Sequence, residues 1–310
     1  MKKYCFGIDV GGTTVKCGLF NIDGEVLDKW EIPSRTEDGG KNILPDVAAA
    51  ILGKIEEKKL DKEEIAGVGI GVPGPVDDSG VIACAVNLHW GRMDIVIELG
   101  DLTGLRVKAG NDANVAALGE LWQGGGKGYH NLVLLTLGTG VGGGIIVNDK
   151  IFAGSQGAAG ELGHAHVEDA IKDPCNCGSC GCLEQVASAT GIVRLAKEEL
   201  AASDEDSLLR NGEVSAKTVF DAVKEGDALA IRVAERFGAY LGKAMAVFAC
   251  VLDPEVFVIG GGVSKAGTIL LDFIKKNYVS YAFPTAKNVA FKLATLGNDA
   301  GIYGAAKMVL

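Results

Sequence analysis

The chain has 310 residues, 48% of them hydrophobic and 23% charged, and carries a formal net charge of −10. That length suits two modest domains with buried cores, and an acidic surface argues against wholesale binding to the phosphate backbone of nucleic acid. The longest apolar stretch, Ala244 to Leu252, stops at Asp253-Pro254, well short of a membrane span.

A strand pattern begins at Tyr4, which leaves no room for a signal peptide. The eight cysteines therefore point to a reducing cytoplasm and thiolate–metal chemistry rather than to disulfides. Residues 4–9 and 15–20 read as two strands around Gly11-Gly12, and a similar layout recurs at 132–137 and 145–147 around Gly138 to Gly144. The recurrence hints at a duplicated architecture. Between the two lie a helix at 43–55, with positions 44, 47, 51 and 55 on one face, a buried strand at 65–72, and a helix at 113–122 whose first turn Asp112 could cap. Helices follow at 183–200, 216–224 and 228–250, with 202–213 a polar loop. A strand at 256–259 runs through Gly260-Gly261-Gly262 into another helix, and the chain closes with a strand near 289–296 and a helix through 302–308. Strands alternating with helices argue for an α/β fold.

Three glycine turns at strand ends suggest a nucleotide cleft. In Asp9-Val-Gly11-Gly12-Thr13-Thr14 the glycines let backbone N–H groups approach phosphate oxygens, and the hydroxyls add donors. Asp9 would repel phosphate unless Mg²⁺ lay between them, so it suits a metal-facing role through water; an ordinary hairpin turn fits the same residues. Gly138-Thr139-Gly140 opens a second phosphate-loop candidate that is neither a Walker A loop nor a dinucleotide fingerprint. The run at 260–262 would let a flat base or ribose approach the backbone. Asn111-Asp112 sets an amide and a carboxylate beside a helix start, where Asp112 could accept the proton of an attacking hydroxyl or act as a plain cap.

The densest constellation is Glu161-Leu-Gly-His164 followed by Cys175, Cys177, Cys180, Cys182 and Glu184. Structural zinc takes four nitrogen or sulfur ligands, and five are on offer: His164 and the four cysteines, with His166 a minor candidate. Cys5, Cys17, Cys84 and Cys250 have no ligand spacing and read as core thiols, and His89 and His130 as structural residues.

Taken together these segments resemble the ROK family of sugar kinases and repressors, its bacterial glucokinase branch most closely, over essentially the whole chain. The resemblance rests on Asp9 to Lys16, Gly71-Val-Pro-Gly74, Asn111-Asp112-Ala-Asn114, Leu137 to Gly144, Gly160 to His164, Cys175 to Glu184, Ala187 to Gly191 and Ile259 to Ser264. It implies a two-lobed actin/hexokinase-like (ribonuclease H-like) ATPase fold with a structural zinc site and a cleft between the lobes. One lobe would span 1–112 with the last helix, 298–310; the other would span 113–297 and hold the zinc site and dimerisation helices. It further implies Asp112 as catalytic base, with Gly74, Asn87, Asn111, Glu161, His164 and Glu184 around a hexose. ATP would meet Asp9, Gly11, Gly12, Thr13, Thr14, Lys16, Gly138, Thr139 and Gly140 at its phosphates and Gly261 and Gly262 at adenosine. Zinc would sit on His164, Cys175, Cys177 and Cys182, with Cys180 a departure from the family pattern. Mg²⁺ would come with ATP.

The expected activity is a glycolytic glucokinase in the cytoplasm, glucose + ATP to glucose 6-phosphate + ADP, in a homodimer or homotetramer. Fructose, allose, mannose or N-acetylmannosamine are the alternative hexoses. A sugar-responsive regulator is the remote alternative, since nothing before Asp9 could hold a DNA-binding segment.

Overall fold

A computed structural model of the chain describes residues 1–77 and 79–310. The strands are β1 (Tyr4–Val10), β2 (Thr14–Asn21), β3 (Val26–Pro33), β4 (Ile65–Val72), β5 (Val81–Ile82), β6 (Met93–Asp94), β7 (Val107–Asn111), β8 (Leu132–Leu137), β9 (Val141–Val147), β10 (Lys150–Ile151), β11 (Val256–Gly260) and β12 (Ala290–Leu293). The helices are α1 (Ile43–Glu57), α2 (Ile95–Thr103), α3 (Asp112–Gln123), α4 (Glu184–Ala187), α5 (Ala189–Ala202), α6 (Ala216–Lys224), α7 (Ala228–Leu252), α8 (Thr268–Tyr281) and α9 (Ala300–Met308). Among the described residues no helix is long and apolar enough to cross a membrane.

The chain forms two compact units: residues 1–130, 144–160 and 296–310, and residues 131–143 and 161–295. The sequence reading divides it at 112/113 and 297/298, so the two divisions differ over residues 113–130, with the helix that begins at Asp112, and over residues 144–160, with the end of β9 and β10. Strand orders are β3-β2-β1-β4-β7 in one five-stranded sheet and β10-β9-β8-β11-β12 in the other. In the first, β1 pairs antiparallel with β2 and parallel with β4, which pairs parallel with β7. In the second, β8, β11 and β12 run parallel in turn. The recurring strand–glycine turn–strand units thus open two sheets of one design.

Local chemistry explains where the sequence pattern works and where it misleads. Strand β4 is central, and Ile65, Val68, Ile70 and Val72 are all buried, which gives the continuous apolar run of a strand covered on both faces. Strand β3 alternates between half-buried and exposed positions and carries Asp28, Lys29 and Glu31; those charges hide it from a hydrophobicity reading. Helix α1 buries Leu44, Val47, Ile51 and Ile55 as its period requires. The helix expected over 183–200 is two helices, because the Ser188 backbone is extended and its side chain caps α5 by accepting from Gly191 N–H. The strand expected near 289–296 is confined to Ala290–Leu293. Cys5 and Cys17 are buried as expected, whereas Cys84 and Cys250 are exposed and belong to no core.

In the first unit, α9 packs on β1, β4 and α3 by backbone approach. A Cβ added at Gly69 would come within 1.7 Å of the Ala305 carbonyl oxygen, one at Gly119 within 2.2 Å of that of Ala300, and one at Gly304 within 1.7 Å of that of Val115. The segment leading into α9 is tied down as well: buried Glu120 accepts hydrogen bonds from Leu296 N–H (2.9 Å) and Gly125 N–H (2.8 Å). We therefore expect Gly304→Ala to destabilise the protein by about 3 kcal/mol or more, since the methyl has nowhere to go. Gly53→Ala in α1, where an added Cβ meets nothing within 4 Å, should stabilise by about 0.5–1 kcal/mol. Urea-unfolding midpoints of the two variants check both signs.

Candidate active site

In the first unit Asp9 stands near the end of β1, one residue before the β1–β2 turn, and faces Lys16 across the ladder. The turn closes by a hydrogen bond from Gly11 N–H to the Thr14 carbonyl, 3.0 Å, and leaves Gly12 and Thr13 exposed. Lys16 is the exception among the residues assigned to ATP, for its Nζ donates to the Asn298 carbonyl oxygen at 2.9 Å. Asp9 is largely withdrawn from water, and burial, followed by the nearby charge of Asp112, pushes its carboxyl up to about 6, with Lys16 acting in the opposite sense. Among the described residues no side-chain or backbone donor offsets that burial. A desolvated carboxylate of this kind suits a cation, directly or through water.

Asn111 ends β7 and caps α3. Its Oδ1 accepts from Ala113 N–H and Asn114 N–H at 3.0 and 3.1 Å. The N-cap is thus Asn111 and not Asp112, as the helix start alone had suggested. Asp112 is the first helical residue, its Oδ1 held by Ala113 N–H at 2.8 Å and Asn111 Nδ2 at 3.0 Å. The same amide nitrogen donates to the Gly74 carbonyl at 3.2 Å. Exposed Asn87 lies beside Gly12, with its Cβ 4.0 Å from where a Cβ on that glycine would stand. Gly74, Asn87, Asn111 and Asp112 are therefore grouped around the Asp9 turn, although they come from three separate segments.

In the second unit the Gly138–Gly140 turn is held from two sides. Ala189 N–H donates to the Gly138 carbonyl at 2.8 Å and Thr190 Oγ1 to that of Thr139 at 3.0 Å. Val141 N–H donates to Glu184 Oε2 at 2.9 Å, and a Cβ at Gly140 would lie 2.1 Å from that same oxygen. Beside the turn opens a cavity of about 480 Å³, lined among others by Thr139, Lys217, Phe220, Gly262 and Lys265. Its size and its mix of an aromatic face with charged edges are those of a small-molecule site. Sequence reasoning missed Lys217, Phe220 and Lys265. Helix α6 reads only as an amphipathic helix, and no glycine or spaced motif marks it.

The cysteine block closes on itself in the same unit. One ligand atom from each of His164, Cys175, Cys177 and Cys182 falls within 4.8 Å of all the others. Cys177 Sγ and Cys182 Sγ are 3.7 Å apart, and Cys175 Sγ is 3.6 Å from His164 Nδ1. Metal–sulfur bonds of ~2.3 Å and metal–nitrogen bonds of ~2.0 Å in a tetrahedron give edges of about 3.8 and 3.6 Å, so both donor set and spacing fit zinc. Burial, and then the neighbouring thiols, push Cys182 up to about 12, an environment in which a thiolate needs a cation. Cys180 stands apart, its Sγ donating to the Lys172 carbonyl at 3.2 Å. His166 is engaged by the Cys180 carbonyl and Asp169. Neither joins the cluster, whose four ligand atoms come from His164, Cys175, Cys177 and Cys182. The outer ring nitrogen of His164 lies 3.8 Å from Glu161 Oε2, and Cys175 Sγ reaches Glu184 Oε1 at 3.6 Å.

Comparison with known proteins agrees with this geometry. The family model of the ROK family matches residues 5–310. A glucokinase of Halalkalibacterium halodurans is 46% identical over 99% of this chain and 95% of its own length. The crystal structure of a ROK family glucokinase from Streptomyces griseus in complex with glucose and AMPPNP is 33% identical, with a TM-score of 0.73 and coverage of 98% of both chains. That of a ROK hexokinase from Thermus thermophilus is 30% identical, with a TM-score of 0.79 over 98% of this chain and 96% of that one. The glycine turns, the Asn-Asp pair and the His/Cys cluster are carried on the two-sheet α/β fold of these kinases, and the chain belongs to the ROK family.

Proposed function

We propose that the protein is a glucokinase, transferring the γ-phosphoryl group of ATP to the 6-hydroxyl of glucose. The observation that carries this reading is the carboxylate of Asp112, fixed at the start of α3 by Ala113 N–H and the Asn111 amide in the same unit as the Asp9 turn. A general base must have its plane set before the substrate arrives, and these two bonds set it. The 46% identity to a glucokinase over nearly the whole chain supports the choice of sugar.

In this reading the 6-hydroxyl gives its proton to Asp112 as its oxygen attacks the γ-phosphorus. The bond from that phosphorus to the β–γ bridging oxygen breaks, and ADP leaves. The other sugar hydroxyls meet Asn111, Glu161, His164 and Glu184, with Gly74 and Asn87 beside them; polar groups of this density suit a ligand that is polar on every side. The two glycine turns would receive the phosphates through N–H groups other than those of Gly11 and Gly138, which close the turns themselves, and the adenosine would lie in the cavity by Phe220 and Gly262. Magnesium carried with ATP would neutralise the phosphate oxygens, with Asp9 as the carboxylate that faces it. Zinc would be held by His164, Cys175, Cys177 and Cys182, all positions filled by protein and hence structural. It would fix the His164 ring through Nδ1 and so leave the outer nitrogen, beside Glu161, for the sugar.

A coupled assay with MgATP and a panel of hexoses tests the function, and glucose should give the highest kcat/KM; a higher value for fructose or N-acetylmannosamine would overturn the substrate. Asp112→Asn should lower kcat by about 10³-fold or more while binding glucose within a few-fold of wild type, because the proton acceptor goes and the shape stays. Metal analysis should find one zinc per chain. Cys177→Ser should lose it together with most activity, whereas Cys180→Ser should keep both.

A further inference from the structure

Helix α9 holds two glycines, Gly301 and Gly304, at a cost of about 1 kcal/mol each relative to alanine in a helix. Gly304 is explained by the Val115 carbonyl. Gly301 is not explained by its own backbone, which has no positive φ, nor by any neighbouring main chain. The three atoms nearest to a Cβ built there all belong to one side chain: Asp9 Cγ at 2.5 Å, Oδ2 at 2.6 Å and Cβ at 3.0 Å.

The helix cannot retreat from that side chain. A Cβ on Gly7, two residues before Asp9 on the same strand, would lie 1.9 Å from the Ile302 carbonyl oxygen, so β1 and α9 already touch main chain to main chain one residue from Gly301. On the other side, Gly119 and Gly304 press α9 against α3. A methyl group at position 301 clears Asp9 Cγ and Oδ2 only if the carboxylate turns about its own χ1, away from the direction it now takes, while the 3.0 Å contact to Asp9 Cβ must ease by a few tenths of an ångström as well.

We propose that Gly301 is a positioning residue for Asp9. Its missing Cβ leaves the space in which the carboxylate rests against the first turn of α9, and that seat sets the direction in which Asp9 meets the magnesium–nucleotide. This rests on the kinase reading and adds to it a residue that touches neither substrate nor metal. It also accounts for a glycine in a helix where no turn or backbone contact asks for one.

The test is a double-mutant cycle with Gly301→Ala and Asp9→Ala, read in two ways. In the ligand-free protein, Gly301→Ala should lower Tm. In the Asp9→Ala background, where the contacts to Cγ and Oδ2 are gone and only the 3.0 Å contact to Cβ remains, the same change should cost clearly less Tm than in the wild type, since alanine's helix preference then offsets a mild contact. In turnover, Gly301→Ala should lower kcat/KM for MgATP by about 10- to 100-fold, the size of a misdirected catalytic group. KM for glucose should stay within about twofold, because no sugar-facing group moves. Added to Asp9→Ala, it should change nucleotide affinity by less than about twofold, as non-additivity through one contact requires. If Gly301→Ala alone fails to fold, recovery of soluble protein in the double variant supports the proposal, and failure of both overturns it. Equal Tm losses in the two backgrounds, or parallel losses toward glucose and MgATP, would show a merely structural glycine. Phosphorylation of glucose by the wild-type protein separates the two levels: without it the kinase reading falls and takes the inference with it, whereas with it an additive cycle removes only the role of Gly301.

Discussion

Helix α9 meets β1, β4 and α3 by close main-chain approach, beside the packing of Ile302 and Ala306 with Cys5 and of Tyr303 on Trp122, and this close approach governs where the acidic residues of the first unit can be. Four positions at the contact, Gly7, Gly69, Gly119 and Gly304, would each drive a Cβ to within 2.2 Å of a carbonyl oxygen. A contact made this way has no rotamers to rearrange, so it is stiff in a way that interdigitated leucines are not. Asp9 is the next-to-last residue of β1, and α3 begins on Asp112. Both are therefore attached, within a residue or two, to elements that cannot shift against the helix between them. Catalytic groups on rigid elements hold their geometry better than groups on loops, and here the rigidity comes from what the glycines lack.

The second unit solves a similar problem with polar contacts. Val141 directly follows the Gly138–Gly140 turn, and its N–H is received by Glu184, whose other oxygen lies in reach of Cys175. One carboxylate thus links the end of a phosphate-type turn to the thiol cluster. The cluster in turn holds His164 beside Glu161. A metal on the four ligand atoms would lock a network that already runs from the glycine turn to His164 and Glu161. In this arrangement a cation far from any reacting atom can decide the shape of a binding site.

Much of this was legible in the sequence because the chemistry is written in residue types that have few other uses. Four thiols in eight residues, glycines at three strand ends, and an Asn-Asp pair at a helix start each narrow the physical options. The buried strand β4 and helix α1 were legible because one hydrophobic period dominates each. What stayed hidden had competing signals. The charges on β3 mask an edge strand, and the half-exposed helix α2 and strand β7 lie in a stretch whose apolar residues follow no single period. Ser188 breaks a helix whose apolar pattern runs on across it. Lys217, Phe220 and Lys265 are ordinary residues on ordinary elements, and only the fold brings them to one cavity. Gly301 is the sharpest instance. Its neighbour is almost three hundred residues away in sequence, and a glycine in a helix pattern reads as a slight weakness rather than as a seat for a carboxylate.

That seat has a thermodynamic consequence. The Asp9 carboxyl is raised from 3.8 to about 6 chiefly by burial. Between those values the folded chain holds a proton that the unfolded chain has released, so stability falls as pH rises through this window and levels off above about 6. At neutral pH the ionised, desolvated carboxylate therefore opposes folding by something on the order of 3 kcal/mol, and no hydrogen bond from the described residues returns it. A cation at Asp9 would lift that penalty. In the kinase reading proposed above, relief of that penalty would form part of the driving force for taking up a magnesium–nucleotide. Burial of Asp9 beside the first turn of α9 is thus one feature with two consequences: it costs the folded chain stability at neutral pH, and it is what a cation at Asp9 would relieve.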